Sequence, residues 1–284
     1  MSFRSHFLSI LTSSLTIFAT GAQAETVLKV SGSTTVNPVV VDAADVLKNT
    51  KKLKVFVDTQ GGSSAGIAYV AEGLSDIGMA SREINDHDLQ KYPKAKFDTH
   101  VIGYDGVALV VSKKLYDEGV KSLTREQIQK LYEGKITNWK EVGGPDRKVA
   151  FFNKEPGRGT WEVFANYVYG KADDAPKVFH PEVGANQEAR TKVAAHPGGI
   201  TQLSASWAWD NNDVRALGIK GADGKVIEAS LENIERGVYP MRRRLLLVTT
   251  DKSKPEAQEL ISYIMSPDGQ KLLTKHGYLP AIKK

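Results

Sequence analysis

Three short stretches concentrate the groups that hold small anions: Ser31-Gly32-Ser33-Thr34-Thr35, Gln60-Gly61-Gly62-Ser63-Ser64 and Glu155-Pro156-Gly157-Arg158-Gly159-Thr160. Each follows a short apolar run of strand character and precedes residues with helical apolar spacing. A loop so placed aims backbone N–H groups and hydroxyl donors at one point, where the positive end of the helix dipole favours negative charge. Arg82, just after Ser81, and Arg158 stand inside or beside these loops and can add charge-assisted hydrogen bonds. The natural guest is an oxyanion. Serine and threonine cap helices everywhere, so one such loop says little; three in one chain, with two arginines, point to an anion site.

The elements that position the loops follow from periodicity. Val27–Val30 reads as a strand, and Val39, Val40, Val41, Ala44 and Leu47 recur at helical spacing. The pattern repeats as Leu53, Val55 and Val57 before a helix over Ala65–Glu72. A third unit runs from Asp76-Ile77-Gly78-Met79 through Ala80-Ser81-Arg82 to a helix over Asn85–Lys91. Such alternation predicts an α/β chain with a parallel or mixed sheet, whose ligands gather at the carboxyl ends of the strands. The extended stretch Thr99–Ser112 is broken at Gly103-Tyr104-Asp105-Gly106, which suits a crossing between lobes better than one continuous core strand. Beyond it, Thr124 and Gln127 form a capping box for a helix over Arg125–Tyr132. Strands follow at Val149–Phe152 and Gly199–Ser204, with helices at Trp161–Tyr169 and Gln187–Ala195. Leu245-Leu246-Leu247-Val248 crosses back, and helices near Glu256–Met265 and Gly269–His276 complete the first lobe. The expected organisation is one discontinuous lobe, residues 25–104 plus 246–284, and a second, residues 105–245.

Composition limits the classes of function. The chain has 284 residues, 41% hydrophobic and 25% charged, enough for a folded core. Without cysteine it has no disulfide, thiolate metal site, cysteine nucleophile or cysteine lipid anchor. The net charge of +5 is diffuse; its longest basic run, Arg242-Arg243-Arg244, adjoins the return crossing and reads as a solvated face sooner than as added positive field at the cleft, and nucleic acid is not an expected partner. Residues 1–24 carry Arg4 and His6, then an apolar and hydroxyl stretch over Phe7–Ala19, then Ala22-Gln23-Ala24. This is the pattern of a secretory signal peptide cleaved after Ala24, giving a product free in the periplasm. The histidines lack metal spacing, and Trp207, Trp209 and Tyr104 read as packing. No histidine sits in a recognisable catalytic sequence context and cysteine is absent, so binding without turnover is expected, with no catalytic residue, metal or cofactor.

Val30-Ser31-Gly32-Ser33-Thr34-Thr35, Gly61-Gly62-Ser63-Ser64-Ala65-Gly66, Asp76-Ile77-Gly78-Met79-Ala80-Ser81-Arg82-Glu83 and the stretch from Gln127-Ile128 to Gly134-Lys135-Ile136-Thr137-Asn138-Trp139 with Gly143-Gly144 together resemble the periplasmic phosphate-binding proteins of ABC importers, the PstS type. The resemblance runs over essentially the whole chain after residue 24. It implies a two-lobed type II binding protein, with mixed sheets flanked by helices and lobes joined by two crossing strands. It also implies inorganic phosphate gripped between the lobes and delivered to a membrane permease, by a protein expected to be monomeric. Position by position, Thr34 and the Thr35 N–H match the family's first phosphate loop, with Ser33 beside them, and Ser63 with Ser64 match the second. Ser81 and Arg82 stand where short members place a serine and arginine at the ligand, and Gly159 and Thr160 match the fourth loop. There the family carries an arginine and Gly-Ser-Gly-Thr, whereas this chain has Asn153 at the arginine position and Gly157-Arg158-Gly159-Thr160; Arg158 is the expected replacement guanidinium. Selectivity for protonated phosphate over sulfate calls for a carboxylate acceptor, for which Glu155 and Asp105 are candidates, although each also reads as an ordinary loop acid. The alternatives are another tetrahedral oxyanion such as sulfate, molybdate or phosphonate, a secreted phosphatase, or an envelope scaffold.

Overall fold

The computed structural model describes residues 27–209 and 212–282, so the expected signal peptide and its cut after Ala24 lie outside the described residues. The chain opens with three strand–loop–helix units: β1 (Val27–Gly32) with α1 (Asn37–Lys51), β2 (Lys54–Asp58) with α2 (Gly62–Glu72), and β3 (Ile77–Ala80) with α3 (Asp86–Lys91). β1 lies parallel to both β2 and β3, each joined to the next through a helical crossover. In β1, Leu28 and Val30 turn into the core while Val27 and Lys29 face out, the period-2 alternation of a half-covered strand.

β4 (Asp98–Ser112) is one unbroken strand of 15 residues, so the Gly103–Gly106 break expected from the sequence does not interrupt it. It is nevertheless a crossing. Its first half pairs antiparallel with the return strand Arg242–Thr249, and its second half, from Val107, pairs antiparallel with Gly199–Ser204. The ladder with the return strand shifts register between Leu245 and Leu246, opposite Gly103 and Val101, so the glycine segment is marked by an irregularity in pairing and not by a break in the strand. The return strand also pairs with β3, and Gly199–Ser204 pairs parallel with Ala150–Lys154, so the sheet path runs unbroken from one lobe to the other.

Two large hydrophobic cores flank the crossing. One gathers Leu28, Val39, Ile102, Leu245, Leu260 and Tyr278 among others, under α1 and the C-terminal helices Ala257–Met265 and Pro267–Lys275. The other gathers Val107, Leu109, Trp139, Phe151, Phe164 and Ile200, with the helix Gly159–Tyr169 on it. The predicted capping box of Thr124 and Gln127 is present in both directions on the helix Arg125–Tyr132.

The end of β1 is set by Gly32. Its φ of 126° is unfavourable for residues with a side chain, and a Cβ there would sit 2.2 Å from the Met79 carbonyl oxygen and 3.0 Å from the Gly66 Cα. β1, α2 and β3 therefore approach backbone to backbone, which brings the loops after them within side-chain reach of one another. We expect Gly32→Ala to lower the unfolding free energy by about 3 kcal/mol, combining backbone strain with a carbonyl clash. Urea titration checks this, the midpoint falling while the slope with denaturant stays unchanged.

Candidate functional site

The loops after β1, α2's start and β3 place three serines in contact. Ser33 Oγ donates to Ser81 Oγ at 3.0 Å, the Ser81 N–H donates to Ser63 Oγ at 3.1 Å, and the Ser63 and Ser81 hydroxyls lie 3.3 Å apart. Ser33 Oγ also accepts from the Thr35 and Val36 N–H groups at the entrance to α1. From the other lobe comes the N-terminus of the helix Gly159–Tyr169. Gly159 fits because it has no side chain: a Cβ would stand 2.6 Å from Ser63 Oγ and 2.8 Å from Ser81 Oγ. Three helix starts thus face one cluster of hydroxyls, a concentration of positive dipole ends.

At the centre is Arg243, 5% exposed, on the return strand. Its Nη1 donates to Thr160 Oγ1 at 2.9 Å and Ser81 Oγ at 3.2 Å, and its Nη2 donates to Thr35 Oγ1 at 3.2 Å. Nε and Nη2 both donate to Asp105 Oδ2, at 2.9 and 2.6 Å. Asp105, 1% exposed, sits opposite Arg243 in the ladder of the two crossing strands and takes a further bond from Ser204 on Oδ1 at 3.0 Å. Asn186, at the start of the helix Asn186–Ala195, donates to Thr35 Oγ1 at 3.1 Å. One guanidinium, with its counter-charge in the hinge, therefore touches hydroxyls from both lobes.

Of the residues singled out from the sequence, Ser33, Thr35, Ser63, Ser81, Gly159 and Thr160 come together here. Thr34 is half-buried beside them. Ser64, Arg82 and Arg158 occupy a different layer. Ser64 Oγ accepts from Arg82 Nη2, and Arg82 is clamped by Asp88 through Nη1 at 2.5 Å and Nη2 at 3.1 Å. Arg158 donates to Glu155 Oε2 through Nε and Nη2, at 2.9 and 2.7 Å, and to the Thr59 carbonyl at 3.1 Å, its methylene lying where a Gly62 side chain would be. Asn153 is buried and accepts from Gln202.

The reading of Arg242-Arg243-Arg244 as a solvated face needs correction. Arg242 and Arg244 are exposed, with Arg242 stacked 3.9 Å from the Tyr104 ring centre, but Arg243 between them points inward. Asp105 is likewise no ordinary loop acid but the buried partner of that arginine. The sequence marks Asp105 only as a candidate carboxylate acceptor and does not mark Arg243 or Asn186 as ligand residues. The available signal was the alternation Arg243, Leu245, Leu247 on an expected crossing strand. The aromatic residues pack as expected, Trp209 donating to the Ala229 carbonyl and Trp207 lying against the core. His180 stacks on Phe151, and His276 contacts Asp42.

Lys154 is the one chemical surprise. It is 1% exposed, and its Nζ donates to the Gly184 carbonyl at 2.8 Å. Burial, reinforced by the charges of Arg158 and Arg243 and opposed by Glu188 and Glu155, pulls its pKa down to about 7. The unfolded chain holds this proton more tightly, so stability rises with pH between about 7 and the ordinary lysine value near 10.4. We expect Lys154→Met to gain stability relative to the parent as pH falls from about 10 to about 7, with the difference levelling off below. Thermal melting across that range checks it; a pH-independent difference would show that folding does not lower the Lys154 pKa.

Comparison with known proteins gives a consistent picture. A family model described as PBP superfamily domain matches residues 19–268. The phosphate-binding protein PstS of Bacillus subtilis is 28% identical over 254 residues, covering 89% of this chain and 80% of that protein. A candidate phosphate ABC transporter substrate-binding protein from Clostridium perfringens, solved with bound phosphate, is 31% identical with a TM-score of 0.79, over 90% of this chain and 100% of that one. An ABC-type phosphate transport receptor from Vibrio cholerae is 29% identical with a TM-score of 0.67, over 89% of this chain and 99% of that one.

Proposed function

The chain belongs to the PBP superfamily domain family, and on that premise we propose that it captures inorganic phosphate between its lobes and delivers it to the membrane permease of an ABC importer. Its frame is the two-lobed type II binding-protein fold, as in the similar Clostridium perfringens and Vibrio cholerae structures. The observation that carries the proposal is the convergence of Thr35, Ser81 and Thr160 on Arg243, with Ser33 and Ser63 bonded to Ser81, so that hydroxyls from both lobes surround one cation. A tetrahedral dianion has four oxygens to satisfy and two charges to neutralise. Hydroxyls from opposite lobes satisfy the oxygens, while the guanidinium and three helix starts answer the charge. Arg243 takes the part that the resemblance assigned to an arginine at Asn153 and that Arg158 was expected to fill.

The same geometry disfavours hydrolysis. A serine nucleophile needs a base beside it, and Asp105, the carboxylate joined to these hydroxyls through Arg243, already accepts from Arg243 and Ser204. Capture without turnover is the simpler reading. With Asp105 committed to Arg243, the proton of a hydrogen phosphate dianion is received by a serine or threonine oxygen, which can accept as well as donate. Sulfate, which offers no proton, then gains less from the same hydroxyls. We further propose that the protein acts as a monomer in the periplasm, released by cleavage after Ala24; no described helix is long and apolar enough to cross a membrane.

Titration calorimetry with phosphate, sulfate and molybdate tests the ligand. Phosphate is expected to bind most tightly, and equal or tighter binding of another anion would reassign the substrate. Arg243→Ala is expected to weaken phosphate by roughly a hundredfold or more, since truncating one partner of a buried charge pair costs about 2–5 kcal/mol. Arg158→Ala is expected to cost much less. The reverse ranking would move the anion to the Arg158 layer.

A further inference from the structure

One contact between the lobes forms without any anion. Arg82 is 4% exposed and held within its own lobe by the Asp88 carboxylate, the Glu83 carbonyl and Ser64 Oγ. Its Nε lies 2.8 Å from Glu162 Oε2 of the opposite lobe, an ion pair whose angle falls short of a hydrogen bond. The other oxygen of Glu162 accepts from Asn85 Nδ2 at 3.0 Å, again across the cleft, and Asn85 is itself fixed as the cap of α3 by reciprocal bonds with Asp88. One lobe therefore carries a preassembled socket of Arg82, Asn85 and Asp88, and the other carries the plug, Glu162.

The plug and socket are tied to the anion cluster through the backbone. Ser64 follows Ser63, Arg82 follows Ser81, and Glu162 lies two residues beyond Thr160 on the same first helical turn. Any hinge motion that withdraws Thr160 from Arg243 also withdraws Glu162 from Arg82. Ser64, Arg82, Asn85 and Glu162 line a groove of about 470 Å³ at the cleft mouth, on the outer side of the cluster. Burial pushes the Glu162 carboxyl above the usual carboxylate range, against the pull of Arg82 and Asn85. Opening returns it to water, while Arg82 keeps Asp88.

We propose that Glu162 is a positioning residue: seated in the Arg82–Asn85–Asp88 socket, it acts as a latch that sets the balance between open and closed lobes, and so the affinity for the anion, without touching the anion. This rests on the phosphate reading above. The latch adds its free energy to the closed state whether or not ligand is bound, so losing it lowers the closed population and the apparent affinity by the same factor.

The experiment compares the full-length parent with Glu162→Ala, Glu162→Gln and Asn85→Ala, each checked for folding by circular dichroism. Phosphate affinity comes from calorimetry, rates from stopped-flow tryptophan fluorescence, and lobe separation from small-angle X-ray scattering. The expected result for Glu162→Ala is about tenfold weaker phosphate binding, within the usual range of such couplings, carried mainly in faster release. Its phosphate-free radius of gyration should be larger than the parent's, and its phosphate-saturated radius equal. Glu162→Gln, which keeps the bond from Asn85, and Asn85→Ala should fall between. Effects of Asn85→Ala and Glu162→Ala that fail to couple in a double-mutant cycle, or parent-like affinity and phosphate-free dimensions in a folded Glu162→Ala, would overturn the latch. A parent that binds no phosphate would instead overturn the ligand assignment, leaving the latch to be judged on the phosphate-free dimensions.

Discussion

The arrangement depends on a buried ion pair built into the hinge. Arg243 and Asp105 lie directly opposite each other on the two strands that cross between the lobes, so backbone pairing fixes both charged groups before any side chain is considered. An isolated guanidinium at this depth would be costly to desolvate, and the two-nitrogen contact to Asp105 offsets much of that cost. Its remaining face, through Nη1 and Nη2, is turned to Thr35, Ser81 and Thr160. The cation belongs to neither lobe alone. Thr35 and Ser81 meet it from one side and Thr160 from the other.

Close backbone approach is what allows short side chains to meet there. Serine and threonine hydroxyls reach only a few ångströms from their Cα atoms, so Ser33, Ser63 and Ser81 can touch only if their chains nearly collide. Gly32 permits that within the first lobe, where its Cβ would strike the Met79 carbonyl, and Gly159 permits it between lobes, where its Cβ would strike the Ser63 and Ser81 hydroxyls. The two positions meet different demands. Gly32 needs a positive φ as well as space, whereas Gly159 begins a helix and needs only space.

Much of this was legible in the sequence, for reasons that also explain what was not. The strand, glycine-loop, helix pattern fixed where hydroxyls would point, because it is local: Ser33, Ser63, Ser81 and Thr160 each follow from residues within a few positions of themselves. The capping box at Thr124 and Gln127 and the strand Gly199–Ser204 are local in the same sense. Arg243 and Asp105 depend on the register between segments 138 residues apart, which no window of sequence contains. A run of three arginines looks like a wet surface until strand periodicity is applied, when the middle member falls on the inward side with Leu245 and Leu247. The fate of Arg158 was hidden for a similar reason. It sits in an anion-loop motif, yet the space left by Gly62 and the carboxylate of Glu155 draw it to the rim.

The division of arginines between centre and rim has a consequence for how binding and motion are linked. A cation carried on a lobe moves with that lobe, so an anion attached to it would be half-bound in the open state. Here the central cation is anchored on the crossing strands, while Arg82 and Arg158 reach from one lobe to groups of the other, Glu162 and the Thr59 carbonyl. The rim arginines can therefore respond to closure itself, and the central one to the charge that closure encloses. On the phosphate reading proposed above, an arriving dianion would meet a neutral Arg243–Asp105 pair whose guanidinium is already oriented toward the hydroxyls. The positive helix starts on both lobes supply the rest, and they reach full effect only when the lobes come together.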